Sequence, residues 1–125
     1  MTDPIADLLV RLQNASRVGK RDVSVPYSSL KHSVATALKQ EGYLSEVGKK
    51  DNTLMLSLKY EGARPAITGV KRVSKGSRRV YMGVRDIRPV KRGYGLMVLT
   101  TPAGVVSGKE ARAKRVGGEI LFEIW

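Results

Sequence analysis

The chain has 125 residues, 42% of them hydrophobic, no cysteine, and 23 lysines and arginines against 11 acidic side chains, a formal net charge of +12. That composition argues for a folded protein of one compact domain or two half-size ones, and it excludes a disulfide framework and thiolate metal sites. No apolar run approaches the ~18 residues of a membrane span, and the first residues lack a secretory pattern, so a soluble cytoplasmic protein without a membrane partner is expected.

Thr2-Asp3-Pro4 opens a helix, with Asp3 as N-cap and Pro4 at the first helical position, where its missing N–H is no loss. Ile5, Leu8, Leu9 and Leu12 form one apolar stripe, and Gly19 can end the helix. Asp22 to Pro26 alternates as a short strand. Either Ser28 or Ser29 caps a second helix with the stripe Leu30, Val34, Ala37 and Leu38, stopped at Gly42. Lys31 falls in the first turn and off that stripe, where a cation is unfavourable to the helix dipole, so its reason lies outside the helix. Tyr43 to Val47 and Thr53 to Tyr60 read as a hairpin joined by Lys49-Lys50-Asp51-Asn52, with Leu54, Leu56, Leu58 and Tyr60 on one face. Gly62-Ala63-Arg64-Pro65 is the best break in the chain. It divides an α-β-α-β-β domain, residues 1–62, from a β-rich domain, residues 63–125.

Charge follows the same division. Residues 1–62 carry nine basic and seven acidic side chains, and residues 63–125 carry fourteen and four, a net +10. Self-repulsion of this size points to a polyanion, most often nucleic acid. A membrane surface needs a long basic amphipathic helix, which no stretch provides.

In the second half, Ile67 to Val73 is strand-like, Lys75-Gly76-Ser77-Arg78-Arg79 is a basic turn, and Val80-Tyr81-Met82 is a short strand. Extended backbone sets Arg79 and Tyr81 on one face, a guanidinium and a ring suited to phosphate and to base or sugar. Arg85 to Val90 makes one helical turn, and Lys91-Arg92-Gly93 leads into the stretch around which the chain is organised. Leu96-Met97-Val98-Leu99 reads as a strand buried on both faces. Thr100 and Thr101 follow at its end, Pro102 stops pairing, and Gly104 permits a sharp turn into Val105-Val106. The hydroxyl pair is either plain strand-end chemistry or a rigid loop edge that meets a ligand. Ser107-Gly108-Lys109-Glu110 is a capping box opening a short basic helix with Arg112, Lys114 and Arg115. Gly117-Gly118 break that helix, and Glu119 to Trp125 form a last strand.

Catalysis finds little support. His32 is the single histidine, no carboxylate pair stands at a motif spacing, and no His/Asp/Glu cluster has metal-ligand spacing. Gly104 to Lys109 is one residue short of a phosphate loop and has Glu110 where a magnesium-binding hydroxyl is required. No enzyme, cofactor or metal is expected.

Four stretches together resemble the bacterial small-subunit ribosomal protein S-eight family over the whole chain. They are Met1 to Leu9, Ile67 to Lys75, Gly93 to Gly104, and Gly117-Gly118-Glu119-Ile120-Leu121. The resemblance implies an α+β fold, an α-β-α-β-β half packed against a β-rich half with a short helix. It implies a structural constituent of the small ribosomal subunit that binds the central domain of small-subunit ribosomal RNA, beside other ribosomal proteins. It also implies repression of its own operon through messenger RNA. It places RNA contacts on Thr2, Pro4, Lys31, Tyr81, Thr100, Thr101, Gly104, Gly118 and Glu119, to which the residue reading adds Arg78, Arg79 and the loop residue Pro102. The family's Ser-Thr-Ser-Lys-Gly loop becomes Thr100-Thr101-Pro102-Ala103-Gly104, one hydroxyl and one cation fewer. Glu119 would accept from a base amino group or hold a neighbouring backbone N–H. Two further readings compete. A general basic DNA-binding protein lacks a helix-turn-helix or basic-zipper pattern, and an RNA-acting enzyme lacks acid–base groups.

Overall fold

The computed structural model describes residues 4–90 and 95–125, and the chain divides into two compact units, Met1–Thr68 and Gly69–Trp125. The expected Asp3 cap, the Thr2 contact and the Lys91-Arg92-Gly93 lead-in lie outside the described residues. Helices and antiparallel sheets occur in both units, the mixed α+β class expected from the sequence.

In the first unit, helix α1 spans Pro4–Val18 and strand β1 spans Asp22–Pro26. The α1 stripe is buried as expected and continues through Ala15 and Ser16, whose hydroxyl donates to the Ile67 carbonyl at 2.9 Å. Helix α2, Ser29–Gln40, is capped by Ser28, whose hydroxyl accepts from the Lys31 N–H at 3.1 Å. Its buried stripe corrects the expected one. Leu30 is 38% exposed, while Lys31 is 5% exposed and lies with Val34, Ala35 and Leu38 at the i, i+3, i+4, i+7 spacing. The lysine carries four methylenes, enough to occupy an apolar position with its stem.

Strands β2 (Leu44–Lys50) and β3 (Thr53–Leu58) join β1 in the order β1-β3-β2, all antiparallel. Their connection is Asp51-Asn52 alone, because Asp51 accepts a left-handed conformation, φ 54°, and Lys49-Lys50 remain in the strand. Leu54, Leu56 and Leu58 point inward. Tyr60 leaves this sheet. Strands β4 (Tyr60–Glu61) and β5 (Arg64–Pro65) form a small hairpin around Gly62-Ala63, and the Tyr60 hydroxyl donates to the Lys20 carbonyl at 2.9 Å.

The second unit is a sheet built around its last strand. Strand β6 (Val70–Arg72) and strand β7 (Tyr81–Met82) both pair with one edge of β10 (Gly118–Ile124), and β8 (Leu96–Thr101) pairs with the other. Strand β9 (Gly104–Ser107) completes the sheet against β8. Gly118 therefore opens β10 instead of serving only as a helix breaker. The helical turn expected over 85–90 is a shorter 3-10 turn, Val84–Asp86. Pro89 accounts for part of that, since the residue before a proline is driven from the helical region. Helix α3, Gly108–Lys114, starts on Ser107, whose hydroxyl accepts from the Glu110 N–H at 3.1 Å. Ile87, Val90, Met97, Leu99, Val106, Ala111 and Ile120 form the core beneath the α3 side of the sheet. β8 is buried on both faces from Leu96 to Leu99, as its unbroken apolar run requires.

Candidate nucleic-acid interface

The Thr100–Gly104 stretch is a tight hairpin. Thr101 pairs with Gly104, so Pro102-Ala103 alone make the turn. Gly104 stands at φ +105°, a conformation an L side chain adopts only under strain. The Thr101 hydroxyl closes the turn twice. It donates to the Gly104 carbonyl at 2.8 Å and accepts from the Ala103 N–H at 3.0 Å. The two threonines therefore differ. Thr101 Oγ1 has spent its proton inside the turn, while Thr100 Oγ1 has no hydrogen bond among the described residues and is partly exposed.

Strand register gathers the other candidates. Tyr81 on β7 lies opposite Glu119 on β10, and Glu119 lies opposite Thr100 on β8. Directly paired residues of antiparallel strands project from the same face, and neighbouring strands stand about 4.8 Å apart. Tyr81, Glu119 and Thr100 are thus one row across three strands. Tyr81 is 69% exposed, the most exposed aromatic ring described. Glu119 is only 9% exposed, and its carboxylate is held by Arg79, whose Nη1 donates to Oε2 at 3.1 Å and to Oε1 at 3.3 Å. Among the described residues its partner is this guanidinium, not a backbone N–H. Arg79 remains 59% exposed at its side chain, so the pair has one buried and one solvated member.

Gly118 sits beside this row for a steric reason. A Cβ there would strike the Thr100 carbonyl oxygen and come within 3.1 Å of Thr101 Cα. Its absence lets the start of β10 lie against the end of β8, which sets Glu119 beside Thr100.

Sequence reasoning missed one organising residue. Ser74 is 1% exposed; its hydroxyl accepts from the Val80 N–H at 2.9 Å and lies 3.3 Å from the Val80 carbonyl, to which it donates. It clamps the loop in which the Lys75 and Arg78 backbones pair with each other at 2.8 and 3.0 Å. Nothing in the sequence distinguishes this serine from an ordinary loop serine. The loop holds Lys75, Arg78 and Arg79 exposed beside Tyr81. Lys109, Arg112, Lys114 and Arg115 are also exposed, on and just after α3, with Lys114 3.7 Å from Glu110. Pro4 and Lys31 belong to the first unit, Pro4 exposed at the start of α1 and Lys31 buried. Pro102 is exposed at the tip of the hairpin.

These groups define a class of protein before they define a family. It is a basic α+β chain that gathers a ring, hydroxyls and cations at one end of an antiparallel sheet. Residues 3–125 match the family described as Ribosomal protein S8, and the chain belongs to that family, which is structural and non-enzymatic. Among its relatives, the small ribosomal subunit protein uS8 of Nitratidesulfovibrio vulgaris (strain DSM 19637 / Miyazaki F) is 50% identical over 125 residues, covering 100% of this chain and 99% of the relative. The protein of the same name from Mycoplasmopsis synoviae (strain 53) is 42% identical over 130 residues, covering 100% and 98%. That from Persephonella marina (strain DSM 14350 / EX-H1) is 42% identical over 135 residues, covering 100% and 99%.

Proposed function

We propose that this chain is a structural constituent of the small ribosomal subunit in the cytoplasm, and that it binds the central domain of small-subunit ribosomal RNA directly. The observation that carries the reading is the Tyr81–Glu119–Thr100 row with cations beside it. A ring can stack on an unpaired base or sugar, a neutral hydroxyl and a carboxylate can meet donors and acceptors on base edges, and exposed arginines can take phosphate. The net +10 of residues 63–125 supplies the attraction such a surface needs. Thr101, Pro102 and Gly104 shape the hairpin that borders the row, Gly118 sets its spacing, Arg78 supplies charge, and Arg79 joins the row through its pair with Glu119. Pro4, Lys31 and Thr2 belong to contacts of the first unit. No described helix is long and apolar enough to cross a membrane. Neighbouring ribosomal proteins and the chain's own operon messenger are its further partners, the latter by offering the same RNA shape.

The test is titration of the full chain with a central-domain RNA fragment, a composition-matched scramble and duplex DNA of equal length, at several salt concentrations. The expected result is a preference of about 100-fold or more for the central-domain RNA, on the scale that separates specific from nonspecific binding. Equal affinity for all three would leave only a general basic nucleic-acid binder.

A further inference from the structure

Arg79 and Glu119 are an odd pair for a surface that meets a polyanion. A phosphate contact gains most from a cation with no competing anion, yet the Arg79 Nη1 lies within hydrogen-bond reach of both oxygens of a carboxylate. Conversely, a carboxylate facing nucleic acid repels the backbone unless its charge is offset. Glu119 is also nearly enclosed, at 9% exposure, so it has little water to solvate its charge. One nitrogen of the guanidinium answers both needs. It offsets the charge, and it fixes the carboxylate in the row between Tyr81 and Thr100. Two oxygens provide about four acceptor positions, and Nη1 engages them from one side, so acceptor capacity remains.

A carboxylate so held is a selective acceptor. It accepts from an exocyclic amino group of a base and offers nothing to a phosphate or to a base edge that presents only acceptors. We propose that Arg79 is a positioning residue: it orients and neutralises Glu119 so that this carboxylate reads an amino-bearing base, and it contributes selectivity for cognate RNA instead of general attraction. This rests on the RNA-binding reading above and goes further by assigning a role to a residue whose charge alone suggests a plain phosphate contact. The neighbouring cations Lys75 and Arg78, exposed and without an ion-pair partner among the described residues, are left to supply that attraction.

The experiment compares wild type, Arg79→Gln, Arg79→Lys, Glu119→Gln and the double variant Arg79→Gln/Glu119→Gln. Each is titrated with the central-domain fragment and its scramble at four salt concentrations, with melting temperature as a control. For Arg79→Gln the cognate affinity is expected to fall about tenfold and the scramble less than about threefold, with the slope of log affinity against log salt changed by well under the ~0.9 that one lost phosphate contact removes. Arg79→Lys, which keeps the charge but not the planar fork, is expected to keep the slope and recover only part of the preference. In the Glu119→Gln background, removing Arg79 is expected to change the preference less than about twofold, because the residue it positions has gone. If Arg79→Gln fails to fold because an enclosed carboxylate is left unpaired, the Glu119→Gln and double variants decide alone, since neither contains that carboxylate. Equal loss on both RNAs with a slope flattened by about 0.9, alike in both backgrounds, overturns the proposal. A preference unchanged by Arg79→Gln overturns it as well. A wild-type protein with no preference for the central-domain RNA overturns the RNA reading itself, and this inference with it.

Discussion

At the scale of the residue, the two adjacent threonines show how alike side chains acquire different work. The Thr101 proton is committed to the Gly104 carbonyl across the turn, and its lone pair meets the Ala103 N–H. Thr100 stands in the row with Glu119 and has no such commitment among the described residues. Thr101→Val is expected to lower stability by about 0.5–1.5 kcal/mol, the net worth of a hydrogen bond in a partly solvated turn. Its effect on RNA binding should follow from the loosened hairpin. Thr100→Val is expected to leave the melting temperature unchanged and to weaken cognate RNA by about 1–3 kcal/mol, while the scramble is unaffected. Thermal melts and titrations of the two variants check this, and the opposite assignment of the two effects would refute it. The hydroxyl pair was legible in the sequence. Which hydroxyl is free was not, since that depends on Gly104 returning across a connection of only two residues. Glu119 was similarly legible as an anomaly, but its partner lies 40 positions away and is set by β10 pairing with β7.

Elements were more legible where one period dominated. The stripe of α1, the alternation in β3 and the unbroken run of β8 stand as the sequence implied, because α1 and β3 each bury one apolar face and β8 is buried on both. Helix α2 misled because Lys31 is both a charge and a long apolar stem, and a pattern that scores only charge places it outside the stripe. Gly118 misled in another way. Its role is a close approach between β10 and β8, which exists only once strands remote in sequence are paired. The two glycines that flank the site therefore predict different failures. Gly118→Ala drives a methyl group into the Thr100 carbonyl and is expected to cost about 1–3 kcal/mol or more, with backbone displacement at Glu119. Gly104→Ala meets no atom within 4 Å and faces only its φ of +105°. Its expected cost is about 1–2 kcal/mol. Gly104→Asn should cost less, since asparagine tolerates positive φ better. Denaturant unfolding of the three variants measures the order, and a Gly118→Ala protein as stable as wild type would show that the strands can part at no cost.

For the whole molecule, the deciding quantity is where the charge sits. Residues 63–125 carry a net +10, and residues 1–62 carry a net +2 although nine basic side chains are present there. Among the described residues, two first-half cations have local partners: Arg11 lies 3.8 Å from Asp7, and Lys49 stands 4.2 Å over the Tyr27 ring. In the second half, the Lys75–Arg78 turn is pinned by its own backbone pairing and by the Ser74 clamp. The backbone that carries its cations is therefore ordered before phosphate arrives, so binding need not order that backbone. Lys75→Ala with Arg78→Ala should weaken cognate and scrambled RNA together and flatten the salt slope by about 1.8, if each neutralises one phosphate. The matched control is Lys39→Ala with Lys59→Ala, two exposed first-half lysines without an ion pair among the described residues. That pair removes the same two charges from the total and should leave the slope within about 0.5 of wild type, because counterion release counts contacts and not net charge. Should the control flatten the slope as much as the turn variant, RNA would be responding to the overall charge of the chain, and the loop would have no privileged place in the interface.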